Sequence, residues 1–240
     1  MSEYENEKAE ILYAQRKYEE AVSAWERAEK GLPHSFLQCY KKGIALRKLG
    51  RYDEAAISLE KALELQPENA DAWRAYAWVC CQLDKNAEAV EFCEKSLALD
   101  PDNAKTWIVR GYALHQLGQY EKAVESYARA IECNPLGADG RRAWNNRGAA
   151  LDNLGRYDEA IDSYDEALLI DPFDIYAWNN KGVSSGILAR HEEAICCFSK
   201  AIQIEPEYAT AWQNLAVAYQ ALHRLDEAEE AFKRAKELGL

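Results

Sequence analysis

All six prolines of this 240-residue chain sit at one phase of a repeating pattern: Pro33, Pro67, Pro101, Pro135, Pro172 and Pro206, separated by 34, 34, 34, 37 and 34 residues. Proline has no backbone N–H and its ring clashes with the preceding turn, so at a fixed period it marks a recurring helix end. A chain punctuated this way is an array of like units. Each unit packs on its neighbours, and the core grows along one axis.

Counting back from each proline divides the chain into units 2–35, 36–69, 70–103, 104–137, 141–174, 175–208 and 209–240, with Ala138-Asp139-Gly140 left over. One phase is alanine in every unit: Ala21, Ala55, Ala89, Ala123, Ala160, Ala194 and Ala228. Seven residues later stands Ala28, Ala62, Ser96, Ala130, Ala167, Ala201 or Ala235, and between them a bulky Trp25, Leu59, Tyr127, Tyr164, Phe198 or Phe232, with Cys93 in the remaining unit. Steps of four, three and seven place these on one helix face, where small residues let two helices approach and the bulky one fills the gap. An earlier helix in five units opens with Trp73, Trp107, Trp144, Trp178 or Trp212. Four residues on, six units carry a small residue: Gly43, Ala77, Gly111, Gly148, Gly182 or Ala216. Turns such as Leu49-Gly50-Arg51-Tyr52-Asp53-Glu54 end one helix on glycine and begin the next with acids that favour its positive dipole end. Each unit reads as a helix hairpin, and no β pattern appears.

These residues resemble the tetratricopeptide repeat family over nearly the whole chain, most specifically in Ala143-Trp144-Asn145-Asn146-Arg147-Gly148 and Ala177-Trp178-Asn179-Asn180-Lys181-Gly182. The resemblance implies an all-α, right-handed superhelical α-solenoid of seven helix–turn–helix repeats, here one array spanning residues 1–240. Two features depart from the family pattern. The first unit has Glu5 and Ala9 where tryptophan and glycine are expected. Lys42, Arg110, Arg147 and Lys181 replace the leucine before the small residue, and we read them as long stems covering apolar surface with their charged heads in water.

In the last unit, Glu229 and Lys236 replace the apolar residues that precede them in register, Ile195 and Ile202. Charges are not buried cheaply without partners, so these positions should face water and close the array near Leu240. The Ala138–Gly140 insertion, with glycines at 137 and 140, is the expected irregular joint: a surface loop, or a change of curvature between four repeats and three.

The resemblance also implies that first helices line a concave groove at phases 2, 5, 9, 12 and 13 of each unit. On those phases stand five basic and four acidic residues, so the groove sums to +1 while the chain carries −12. Tyr40, Arg47, Arg74, Trp78, Lys105, Tyr112 and Arg142 then form a basic, aromatic-interleaved surface suited to an acidic peptide with an apolar anchor; arginine and aromatics are common binding hot spots. Trp78 either lies exposed in this groove or packs against a neighbouring helix. Asn146, Asn180 and Asn214 recur at phase 6 and resemble the asparagine ladder of O-linked N-acetylglucosamine transferases, whose amides hold an extended peptide backbone. Asparagine is also common at that phase for structural reasons. The carboxylate clamp for chaperone tails is not matched, since Val109 stands where it needs arginine.

Composition narrows the function class. The hydrophobic fraction of 48% is too high for disorder, and no run approaches a membrane span. The start Met1-Ser2-Glu3-Tyr4-Glu5 is not a secretory signal, which points to a cytoplasmic protein. The seven cysteines, with no C-x-x-C, suit buried thiols better than disulfides or zinc, with Cys81 and Cys196 at the more exposed phases. The four histidines (His34, His115, His191 and His223) have no metal-ligand spacing, and no phosphate loop or nucleophile elbow is present. The expectation is a non-enzymatic adaptor, without cofactor or metal, binding a protein or peptide, monomeric, and not directed to membrane. A self-associating scaffold acting through the array ends or the acidic outer face is the alternative. RNA binding is opposed by the net charge of −12.

Overall fold

Proline and tryptophan positions set the architecture. A computed structural model describes residues 2–29 and 35–240; Pro33 and His34 lie outside the described residues. Two compact units partition the chain, Met1–Gly118 and Gln119–Leu240, the division falling in the turn between the two helices of the fourth repeat. The first unit holds α1 (Ser2–Ala14), α2 (Tyr18–Ala28), α3 (Phe36–Lys48), α4 (Tyr52–Leu65), α5 (Ala70–Gln82), α6 (Asn86–Leu99) and α7 (Ala104–Gln116). The second holds α8 (Tyr120–Cys133), α9 (Ala138–Asn153), α10 (Tyr157–Ile170), α11 (Ile175–Ile187), α12 (His191–Ile204), α13 (Ala209–Ala221) and α14 (Leu225–Glu237). No strand occurs among the described residues.

Pro67, Pro101, Pro135, Pro172 and Pro206 each follow the C-cap of a second helix. After Pro67, Pro101 and Pro172 the first helix restarts on a side-chain cap: Asn69 accepts from the Ala72 N–H at 2.9 Å, Asn103 from Thr106 at 3.2 Å, and Asp174 from Tyr176 and Ala177 at 3.0 and 3.1 Å. The turn inside each hairpin demands a left-handed residue. Arg16, Gly50, Asp84, Gly118, Gly155, Ala189 and His223, at one phase of all seven repeats, hold φ between 58° and 75°.

The alanine stripe is the core. Ala21, Ala55, Ala89, Ala123, Ala160 and Ala194 are wholly buried, as are Trp25, Leu59, Cys93 and Tyr164. Small and bulky residues meet across each hairpin: a Cβ added at Gly43 would lie 2.6 Å from Leu59 Cγ, at Gly148 2.5 Å from Tyr164 Cε1, and at Gly182 2.6 Å from Phe198 Cε1. These are knob-and-hole pairs, and in these three repeats the hole is a glycine, where Ala77 and Ala216 stand at the same phase in two others.

Four expectations are corrected here. Ala138-Asp139-Gly140 is no loop; it forms the first turn of α9, which runs 16 residues where α5, α7, α11 and α13 run 13. Three residues are close to one helical turn, so the insertion extends the helix without rotating its face far, and Gly140 lets that turn sit against the carbonyls of Asn134 and Pro135. Cys81 is buried rather than exposed, packed with Cys80 and Cys93, and burial pushes its thiol up to about 12. Ile108, which phase 5 of its unit would place on the groove surface, is also buried. The long cations before the small residues do not end in open water. Lys42 bonds Glu29 at 3.0 Å, Lys181 bonds Asp165 at 2.7 Å, Arg110 bonds Glu94 at 3.3 Å, and Arg147 donates to Ser163 at 2.7 Å. They tie first helices to neighbouring second helices. Cys196, Glu229 and Lys236 are exposed, as their phases imply.

Candidate peptide-binding faces

In the first unit, α1, α3 and α5 bring Tyr13, Tyr40, Arg47, Asp71, Arg74 and Trp78 into one cluster. Trp78 is half-buried rather than bare: the Arg47 guanidinium lies over its ring at 4.9 Å from the centroid, and Tyr52 meets its edge at 5.9 Å. Tyr40 stacks on Phe36 at 5.6 Å. Burial, with the nearby Arg74 cation, lowers the Arg47 pKa from its ordinary value. Burial and Asp71 raise that of Tyr40, against the opposing pull of Arg74 and Arg47. Arg74 is held by Asp71 at 2.5 Å through Nη2, while its buried Nε has no partner. No carboxylate among the described residues hydrogen-bonds Arg47. On α7, Lys105 is exposed and Tyr112 is 39% exposed.

In the second unit, α9, α11 and α13 carry Arg142, exposed, and Asn146, Asn180 and Asn214, each half-buried. The bond between successive repeats runs from phase 6 to phase 5: Asn214 Nδ2 donates to Asn179 Oδ1 at 2.9 Å. Asn145 Oδ1, the counterpart of that acceptor one repeat earlier, is buried without a partner. Asp152, at a groove phase of α9, accepts from Tyr164 Oη and Ser184 Oγ, both at 2.7 Å, and burial raises its pKa despite those two bonds.

The second unit also forms an apolar groove, of whose lining only Asn214 is among the residues above. Val183, Gly186 and Ile187 of α11 face Val217, Ala218 and Ala221 of α13, with His191 and Phe198 of α12 also lining it, and the groove, open to solvent, has a volume of about 280 Å³. Most of these occupy the groove phases, but as small and aliphatic residues they carried no chemical signal in the sequence. His191 was legible only as a histidine without metal-ligand spacing.

Helix hairpins stacked at a 34-residue period, joined through glycine–bulky seams, define an all-α helical-repeat protein of the solenoid class. The chain belongs to the tetratricopeptide repeat family, whose profiles match residues 40–104, 104–135, 142–174, 190–222 and 209–239. No curated protein matches it significantly. Among solved structures, a variant of MamA is 32% identical, with a TM-score of 0.57 over 71% of this chain and 97% of that one. A tetratricopeptide repeat protein from Parabacteroides merdae is 19% identical, with a TM-score of 0.77 over 100% of this chain and 93% of that one. YrrB, described as a TPR protein with an unusual peptide-binding site, is 21% identical, with a TM-score of 0.62 over 77% of this chain and 93% of that one. No helix among the described residues is long and apolar enough to cross a membrane.

Proposed function

We propose that the chain is a non-enzymatic adaptor that binds an acidic peptide segment bearing a large apolar anchor on the first-helix face of its amino-terminal unit. The carrying observation is Arg47: a half-buried guanidinium spread on Trp78, beside a second cation at Arg74, with no carboxylate of its own. Arg74 already has Asp71, so it is Arg47, partly removed from water and beside a second cation, that an arriving anion would compensate. A carboxylate takes guanidinium groups bidentately, and the exposed parts of half-buried Tyr40 and Trp78 supply the apolar contact. Family membership supports an interaction role, since repeats of this kind serve generally as non-catalytic interaction modules.

The test is fluorescence anisotropy of labelled acidic, neutral and basic peptide pools at low and high salt, against this chain and Arg47→Glu, Arg74→Glu and Lys105→Glu variants. Acidic peptides are expected to bind in a salt-sensitive manner. Reversal at Arg47 or Arg74 should weaken them by more than tenfold, roughly 1.4 kcal/mol or more; reversal at exposed Lys105 should weaken them less. Equal binding of acidic and basic pools, or no loss on reversal at Arg47 and Arg74, would sink the reading.

A further inference from the structure

We propose that the outer face of α1 pairs with α1 of a second copy of this chain, in an antiparallel two-fold contact that sets Tyr4 against Ile11 of the second copy and Glu7 against its Lys8. The contact uses none of the residues named for the acidic peptide, so it stands independently of that reading.

The repeat register says that a helix belongs on this face. Phase 3 is buried in each later repeat, from Gln38 to Ala211, and so is phase 10, from Ala45 to Ala218. The cover is the second helix of the preceding repeat: Thr106, at phase 3 of α7, meets Ser96 of α6 with 3.1 Å between their hydroxyls. At these two phases α1 carries Tyr4 and Ile11, larger than the alanine usual there and 66% and 53% exposed. Seven residues apart, they share one stripe of the helix. Among the described residues α1 packs chiefly on α2, through the face that buries Ala9 and Leu12.

Lys8 says what that helix carries. At its phase three later repeats hold Lys42, Arg110 and Lys181, and each bonds an acid on, or at the end of, the preceding second helix: Glu29, Glu94 and Asp165, at 3.0, 3.3 and 2.7 Å. Lys8 is exposed and forms no ion pair with a described residue. The occupant must therefore cover two apolar side chains and bring an acid to the cation between them. A second α1 does both. In an antiparallel pair, residues whose numbers share one sum stand opposite. A two-fold centred between Glu7 and Lys8 thus sets Tyr4 on Ile11 twice and Glu7 on Lys8 twice. Such a contact is isologous and closes at two copies. It also copies the repeats themselves, whose helices, joined by short turns, run antiparallel to their neighbours. A head-to-tail contact is costlier, since α14 presents exposed Glu229 and Lys236 at the phases of Ile195 and Ile202, and burial against Tyr4 and Ile11 would strip their hydration.

One helix pair buries less than a standard interface, so the dimer is expected in the micromolar range. Sedimentation velocity on the full chain, over a hundredfold range of concentration, should show monomer giving way to dimer and to nothing larger. Ile11→Asp is expected to weaken the dimer at least tenfold while its circular-dichroism melt matches that of the monomeric parent, because the Ile11 side chain is exposed. Glu7→Lys and Lys8→Glu each create two like-charge contacts and should weaken it severalfold at low salt. Mixed in equal amounts, those two variants regain both opposite-charge pairs and should form a heterodimer as tight as the parent dimer. Monomer at every concentration, growth past the dimer, undiminished association of Ile11→Asp, or a mixture no tighter than either variant alone would overturn the contact.

Discussion

The Trp178 indole Nε1 donates to the carbonyl of Pro172 at 2.9 Å, and the bond recurs as Trp73 to Pro67 at 2.7 Å, Trp107 to Pro101 at 2.8 Å and Trp212 to Pro206 at 2.9 Å. The two residues that mark the period are therefore partners. Proline ends one repeat, and the tryptophan six residues later satisfies the proline carbonyl while opening the next.

Trp178→Phe keeps most of the ring and removes this donor. A net hydrogen bond contributes about 0.5–1.5 kcal/mol, so the variant is expected to lose about 1 kcal/mol in urea denaturation. Stability within 0.3 kcal/mol of the parent would mean that the Trp–Pro bond contributes nothing and the indole is kept for packing alone.

Ala189 holds φ at 59°, at the phase where three other repeats use glycine. A Cβ in the left-handed region costs about 1–2 kcal/mol, partly offset by the larger unfolded-state entropy of glycine. Ala189→Gly should therefore stabilise the chain by about 0.5–1 kcal/mol. Asp84→Gly, at φ 59°, should gain less, because aspartate tolerates this conformation better. Thermal melts of both variants check the order; a destabilised Ala189→Gly would refute it.

The Gly182–Phe198 seam makes a coupled prediction. A methyl at Gly182 would lie 2.6 Å from Phe198 Cε1, and the ring is buried, so it must shift to admit the methyl. Gly182→Ala is expected to cost about 1–3 kcal/mol by overpacking. In a double-mutant cycle with Phe198→Leu, which vacates the ring, the combined loss should fall short of the sum by at least about 0.5 kcal/mol. Strict additivity would show that the two residues do not share the cavity.

Much of this fold was readable because every repeat solves one packing problem, so proline, alanine and the bulky residue recur in register. What was not readable depends on neighbours outside the repeat's own pattern. For Trp78 the sequence left exposure in the groove and packing on a neighbouring helix both open, and it is Arg47 from the preceding repeat that covers its ring. Two glycines near position 138 looked like a loop, but Gly140 is there for close approach to the Asn134 and Pro135 carbonyls inside a helix start. The α11–α13 groove was marked in the sequence only by its phases and by Asn214, since valine, isoleucine and alanine at groove phases look like ordinary helix surface until two helices are set side by side.

Asp152 carries a pH dependence of definite sign. It is wedged between Tyr164 and Ser184, and burial raises its pKa above the ordinary value even though both hydroxyls bond its charged form. A carboxyl with its folded pKa above the unfolded one favours folding most when protonated. That contribution is full below the unfolded value, near 3.9, and is lost as pH rises through the folded value. Asp152→Asn has the same shape and does not titrate. Any loss from its imperfect bond to Tyr164 is an offset common to all pH values. Urea denaturation of both proteins at pH 4, 5, 6 and 7 should therefore show the asparagine variant gaining on the parent as pH rises from 4, then running parallel to it once Asp152 is ionised. A constant difference across the whole range would mean that Asp152 titrates alike in the folded and unfolded chains, and that its two hydroxyl bonds fully offset its burial.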